Sequence, residues 1–268
     1  MFDLSKKRAL VTGSTQGIGY AIAKSLCMAG AEVFVHCSAD LEKSQRIAAE
    51  IGAFGAVTSR LENENEVIAL PEKVGDIDIL VLNASVQIPM KWYEIDTASF
   101  EKQINVNLKS TLLLMQKFYP YMKGRRYGRI VTIGSVQQYK PHIDMAVYAA
   151  TKSAVMNLVT NIASQVADEG ITVNNISPGV INTPRNAVTL SNEKYRADVK
   201  DDFGFEMISQ NRFTTAQIDK NTWTVEMLDM LIEWIASDPR GEESRDLDWT
   251  QEYYLARNSD PNDTQTAL

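Results

Sequence analysis

Residues 145–154 read MAVYAATKSA and place Tyr148 four positions before Lys152. On a helix, positions i and i+4 share a face, so the phenol and the ammonium can meet. A cation beside a phenol favours the phenolate and lowers a reference pKa of about 10. The pair is then a proton donor usable near neutrality, although a solvated surface pair has the same spacing. A second signature lies upstream, where the first apolar run leads into TGSTQGIG, residues 12–19, and then a helical pattern. A strand, a glycine-rich turn and a helix start, in that order, let backbone N–H groups approach a pyrophosphate. In this reading Gly13 makes the turn, Gly17 permits close approach and Gly19 lets helix and strand pack. A tight turn without a ligand is the alternative.

The elements that must position these residues are legible as alternating patterns. RALVTG (8–13), AEVFVHC (31–37), GAVTS (55–59), IDILVLN (77–83), GRIVTIG (128–134) and ITVNNIS (171–177) are short, apolar and closed by Gly, Asn or Ser. Continuous rather than alternating apolar runs predict strands of a parallel sheet covered on both faces. Helix-length segments at 17–29, 40–51, 63–74, 97–123 and 147–168 fill the gaps. In the last of these, Val155, Leu158, Val159, Ile162, Ala163 and Val166 recur with helical periodicity. The alternation predicts an α/β fold, a doubly wound, Rossmann-type parallel sheet in a single domain over residues 1–238. After residue 184 the rhythm changes: 186–210 reads as a polar helix and 222–237 as an amphipathic one. Residues 239–268 form a charged C-terminal segment with a disordered end expected, its run 242–248 a solvated face.

Composition excludes several classes. The 268 residues carry a net charge of −7 and are 44% hydrophobic, enough for a full core. With a pI of about 5.0 there is no basic stripe for nucleic acid. No apolar run approaches the roughly 18 residues that would span a membrane, and the N-terminus has no apolar leader segment. Cys27 and Cys37 give neither a disulfide framework nor metal-ligand spacing. His142 has no second ligand beside it, so no metal is expected. These features predict a cytoplasmic protein.

TGSTQGIG, Asn83-Ala84, Asn107, Ser135, the Tyr148-Lys152 pair and Pro178-Gly179 together resemble the short-chain dehydrogenase/reductase family in order and spacing, over roughly residues 5–185. Ser135 precedes Tyr148 by thirteen residues, as in the family pattern. The resemblance implies hydride transfer between a nicotinamide cofactor and a carbonyl or secondary alcohol. It assigns Tyr148 as acid/base, Ser135 as hydrogen-bond donor to the substrate oxygen, and Lys152 as the helper that also holds the nicotinamide ribose. Asn107 would anchor a water relaying protons to Lys152. Cofactor contacts carry over to Gly13, Ser14, Gln16, Gly17, Ile18, Gly19, Asn83, Tyr148, Lys152, Pro178, Gly179, Ile181 and Thr183, with Thr183 on the carboxamide.

Departures refine these expectations. Ser85 stands where the family has glycine, and Arg60 where an acidic residue usually contacts adenine. The family's final strand, with its Thr-Gly and Asp-Gly-Gly stretches, is replaced by GEESRDLDWTQEYYLA. The end of the second strand reads His36-Cys37-Ser38-Ala39, with no carboxylate until Asp40, expected inside the next helix. A carboxylate there would bond the ribose 2′-OH and repel a 2′-phosphate. Its absence, with Ser38 as phosphate donor and Arg60 in reach, favours NADP over NAD; Gln16, where NADP-preferring relatives often have a cation, argues the other way. Loops beyond the strands' carboxyl ends place Gln87, Trp92, Gln137, His142 and Met145 around the substrate, with Met90, Gln138, Tyr139, Arg185 and Asn186 nearby. Amides and an imidazole among aromatics suit a sugar or polyol; a ketoacyl thioester reductase and a catalytically silent dinucleotide-binding protein are the alternatives. Helices 97–123 and 147–168 resemble the pair that family members bury across a two-fold axis. Leu112, Leu113, Leu114, Met115 and Phe118 cover an arc wider than one buried face, so a homodimer through these helices is expected. A homotetramer would need the family's second interface, which uses the replaced final strand.

Overall fold

Strands β1 (Arg8–Val11), β2 (Glu32–Cys37), β3 (Gly55–Thr58), β4 (Ile79–Leu82), β5 (Gly128–Ile133) and β6 (Ile171–Ile176) fall on the predicted apolar runs. The computed structural model describes residues 3–139 and 141–178. Within them the six strands form one sheet in the order β3-β2-β1-β4-β5-β6. Every pairing is parallel. Central strands β4 and β5 are buried at every position, whereas β3, at an edge, is only half covered. That gradient is what helices on both faces of an open sheet produce.

Alternate residues of each strand feed opposite faces. Ala9, Val11, Val33, Ile79, Val81, Val131 and Ile133 pack with Ile22, Ala23 and Leu26 of α1 (Gly17–Met28). Leu10, Leu80 and Ile130 face the other way. There they meet Leu114, Met115, Phe118 and Met122 of α6 (Ser110–Arg125), and Val155, Val159 and Ala163 of α7 (Ala146–Val166). Burial of each Val, Leu, Ile, Phe or Met among them is worth roughly 1.5–3 kcal/mol, and the period-2 pleat divides it between the two layers.

Three helical expectations are corrected. The helix foreseen over 63–74 is two short ones, α3 (Glu64–Ile68) and α4 (Leu70–Val74). Pro71, in the first turn of α4, has no N–H to continue α3's ladder. Asp40 lies outside α2 (Leu41–Ile51) as its N-cap, its carboxylate accepting from Lys43 N at 2.8 Å. The helix expected over 97–123 is α5 (Thr97–Ile104), a π-helical segment Asn105–Lys109, and α6. The assignments at 186–210, 222–237 and 239–268, and the replaced final strand, lie outside the described residues.

The wide apolar arc on α6 is narrower in the fold than in the sequence. Leu114, Met115 and Phe118 are buried in the chain's own core, Leu113 packs against it half-buried, and Leu112 is half-buried. Residues predicted to cross an interface thus mostly serve the sheet-facing side.

Candidate active site

The strand order reverses between β1 and β4, and that switch point opens the crevice where an α/β sheet takes its ligand. The glycine-rich turn follows β1 there. Gly13 and Gly17 adopt φ of +64° and +57°, the left-handed region where a side chain is strained. A Cβ on Gly19 would overlap Gly13 O and the Asn83 amide. The chain therefore needs glycine at these positions to bring helix α1 against the turn.

The turn is braced from the β4 side. Thr12 Oγ1 accepts from Asn83 N at 2.9 Å and Ala84 N at 3.1 Å. Asn83 Nδ2 donates to Thr12 O at 2.9 Å and Gly13 O at 3.2 Å. Asn83, expected as a cofactor contact, thus has its amide on the turn that must hold the cofactor. Ser14 is a correction. It is fully buried, its hydroxyl donating to Val11 O at 2.7 Å and accepting from His36 N at 2.9 Å. The side chain binds strand to turn rather than facing a ligand.

Helix α1 carries no side-chain cap at Gln16, whereas Asp40, Asn63 and Asp96 cap α2, α3 and α5. The first N–H groups of a helix have no intrahelical partner. At α1 no side-chain cap meets them, and the positive end of the helix dipole lies there. A pyrophosphate would suit such uncapped donors, and Gly17, Ile18 and Gly19 are the residues that would hold it.

On the opposite wall, α7 starts at Ala146, so Tyr148 and Lys152 lie on one face of its first two turns. Both are buried, and the Lys152 ammonium lies 5.6 Å from the Tyr148 ring centroid. Lys152 Nζ also donates to Ile133 O, the last residue of β5, at 2.6 Å. Ser135 follows β5 and caps a 3₁₀ turn, its Oγ accepting from Gln137 N at 3.2 Å. A hydroxyl that accepts in this way still has its own proton to give. Its backbone N–H is held by Gln138 Oε1 at 3.3 Å. Val136 N donates to Pro178 O at 2.9 Å, which brings Pro178 alongside.

Asn107 lies in the π-helical segment, a distortion frequent at functional sites. Its side chain accepts from Val86 N at 2.8 Å and donates to Val86 O at 2.8 Å and to Thr151 Oγ1 at 3.1 Å. Thr151 in turn donates to Tyr148 O at 2.7 Å. The amide therefore fastens the loop after β4 to the stretch of α7 that carries Tyr148 and Lys152. The amide thus performs a bracing task beside the water-anchoring role expected of Asn107.

The substrate residues gather less tightly. Gln87, Gln137, His142 and Met145 are half-buried, while Trp92 is 76% exposed, edge-on to Tyr93. Gln137 Oε1 accepts from His142 N at 2.6 Å, and Met90 N donates to Asp144 O at 2.9 Å, so these loops clasp one another. Among the described residues no cluster of potential metal ligands occurs. Arg60 is paired with Glu66: its Nε donates to Glu66 Oε1 and its N to Glu66 Oε2, both at 2.7 Å. Ser38, directly after β2, is exposed. Gly179, Ile181, Thr183, Arg185 and Asn186 lie outside the described residues.

Sequence reasoning missed Thr12, Thr151 and His36, residues that hold the others, and read Gln138 only as a neighbour of the substrate although it also holds Ser135 N. Thr12 and Thr151 lay inside the motif strings, where a polar side chain amid buried neighbours was the available signal.

The family model described as short chain dehydrogenase matches residues 7–194. Human dehydrogenase/reductase SDR family member 2, mitochondrial, is 30% identical over 217 residues, covering 78% of this chain and 77% of the relative. A solved structure of a Beutenbergia cavernae protein assigned as an NAD(P)-dependent gluconate 5-dehydrogenase, with NADP at low occupancy, superposes with a TM-score of 0.70. It is 30% identical and covers 74% of this chain and 82% of its own. A 3-oxoacyl (acyl-carrier-protein) reductase from Agrobacterium tumefaciens with NADP bound gives a TM-score of 0.66 at 33% identity, covering 78% and 81%.

Proposed function

Because this chain belongs to the short-chain dehydrogenase family and is an NAD(P)-dependent oxidoreductase, we propose that it interconverts a secondary alcohol and a carbonyl on a small hydroxylated substrate, a sugar acid or polyol. The observation that carries the proposal is the join of Tyr148, Lys152 and Ser135 at the carboxyl end of β5, opposite the uncapped start of α1. The polar loop side chains Gln87, Gln137 and His142 support a hydroxylated substrate. So does the likeness to a gluconate 5-dehydrogenase, while the likeness to a 3-oxoacyl reductase supports a ketoacyl thioester as the second reading.

A bound nicotinamide supplies the hydride in reduction and accepts it in oxidation. As the carbonyl carbon gains that hydride, the C=O π electrons move onto oxygen. Tyr148 Oη gives its proton to that oxygen and Ser135 Oγ–H donates a hydrogen bond to it while the charge develops. Lys152, anchored on Ile133 O, keeps a positive charge beside the Tyr148 ring as the phenol loses its proton. Asn107 and Thr151 hold the α7 backbone so that the phenol stays aimed. In oxidation each proton movement reverses.

We further propose NADP as the preferred cofactor, supported by the commitment of Asp40 to capping α2, which leaves β2 without a carboxylate for the ribose. A homodimer through α6 and α7 is proposed on Leu112 and Leu158, half-buried leucines that join neither hydrophobic cluster. The free thiols of Cys27 and Cys37 support a reducing compartment, the cytoplasm, and among the described residues no helix is long and apolar enough to cross a membrane. A cofactor-oxidation screen over ketoses, keto-sugar acids, polyol-derived ketones and ketoacyl esters tests the substrate class. Turnover confined to ketoacyl esters selects the second reading, and nucleotide binding without turnover of any would leave a silent binding protein.

A further inference from the structure

His36 is the next-to-last residue of β2 and is 1% exposed. A polar ring at a fully covered strand position must satisfy both nitrogens inside the protein. It does so across two crossings of the sheet's carboxyl edge. Nε2 lies 3.1 Å from Ser59 O, beyond the end of β3. Gly13 N donates to Nδ1 at 3.1 Å. A carbonyl can only accept, so the ring proton resides on Nε2 and Nδ1 is an acceptor. The two partners thus dictate a neutral imidazole with one tautomer.

The backbone of the same residue grips the turn as well. Ser14 N donates to His36 O at 2.9 Å, and His36 N donates to Ser14 Oγ at 2.9 Å. Gly13 and Ser14, the residues at which the chain leaves β1 and bends, therefore have their N–H groups bound inward to β2. Asn83 holds the carbonyls of Thr12 and Gly13 from the β4 side. With both strands gripping it, the turn has little freedom to reorient, and the donors left for an anion are those at the start of α1.

We propose that His36 is a positioning residue for the dinucleotide, its Nδ1 fixing the Gly13 peptide so that the α1 N-terminus meets the pyrophosphate. This rests on the oxidoreductase reading above. The ring touches no reacting atom and acts only through Gly13. Burial holds its pKa at about 4, well below the ordinary value, so the acceptor form prevails at working pH. The charged group that also lowers it is Lys73 of α4, whose ammonium donates to Thr58 O at 2.9 Å.

Two substitutions separate positioning from filling space. In His36→Asn the amide oxygen takes the place of Nδ1 and can accept from Gly13, but nothing reaches Ser59. In His36→Gln the longer amide reaches towards Ser59, and the Gly13 N–H loses its acceptor. Calorimetric titration of the full chain with NADPH and NADH is expected to give a Kd about tenfold weaker for His36→Gln and within about threefold of wild type for His36→Asn. The loss should fall on the nucleotide KM rather than on kcat, with similar falls in Tm for both variants. Equal Kd values for the two variants would overturn the proposal and reduce His36 to a core filler. No binding by the wild type removes the oxidoreductase reading and this inference with it; wild-type binding with indistinguishable variants removes this inference alone. If neither variant folds, nitrogen NMR of the wild type decides, since the chain has only two histidines. A neutral Nε2–H ring at pH 6 whose Nδ1 resonance moves on nucleotide addition supports the proposal. A ring that titrates at its ordinary value, or that carries the proton on Nδ1, overturns it.

Discussion

Tyr148 and Lys152 meet because helical spacing puts them on one face, and they are useful because that face is buried at the mouth of a crevice. The phenol stands on α7, whereas the glycine-rich turn follows β1, so its removal should separate chemistry from binding. Tyr148→Phe is expected to lower kcat by about 10²–10⁴ while leaving the nucleotide Kd within a few-fold. Steady-state kinetics with a calorimetric Kd measures both, and undiminished turnover would remove Tyr148 from the mechanism. Ser135 and Asn107 differ from each other in kind. Ser135 has a proton to offer a substrate oxygen, whereas every polar atom of the Asn107 amide is engaged within the protein.

At the scale of elements, the proposed NADP preference rests on the end of β2 and the start of α2. Asp40 spends its carboxylate on Lys43 N, and Arg60 is paired with Glu66 at 58% side-chain exposure. Such an exposed pair contributes little, so a 2′-phosphate can compete for the guanidinium. Wild-type kcat/KM is expected to favour NADPH. Ser38→Asp should shift the ratio towards NADH by at least about tenfold, since a carboxylate at this exposed position bonds a ribose hydroxyl and repels a phosphate. A tenfold wild-type preference for NADH would show that the end of β2 does not set the choice.

Two properties belong to the whole molecule. The first is acid sensitivity. His36 has a folded pKa of about 4, pushed down by burial, against an ordinary value of about 6.5. Between those values the unfolded chain binds more protons than the folded one, so stability rises with pH across the window. His36's contribution is complete above about pH 6.5 and is lost as pH falls towards about 4. At pH 5 the wild type is expected to have lost about 2 kcal/mol through this group, and His36→Asn to lack that part of the slope. Urea denaturation of both proteins at about pH 7.5 and 5 measures it, and identical slopes would refute it. The second property is assembly. Light scattering at micromolar concentration is expected to report a dimer of the 29.9 kDa chain, and a monomer would show that α6 and α7 bury only their inner faces.

The strands, their parallel pairing and the turn after β1 were legible in the residues alone. A sheet covered on both faces demands continuous apolar runs, and a backbone at positive φ demands glycine, whatever surrounds them. Tyr148 and Lys152 were legible for a similarly local reason, their spacing along one helix. The tertiary structure decided everything that depends on who sits across the gap. Leu114, Met115 and Phe118 form an apolar arc as text, and only the fold turns them into the chain's own core. Ser14 reads as a turn residue facing a ligand, yet β2 takes its hydroxyl from behind. Asn107 reads as a water anchor, and only the fold shows its amide also tying Val86 to Thr151, 21 residues before it and 44 after. His36 reads as one polar residue in an apolar run. Its bonds to Gly13 and Ser59 each span 23 residues of chain, one backwards and one forwards, a pairing that sheet order creates and periodicity cannot express.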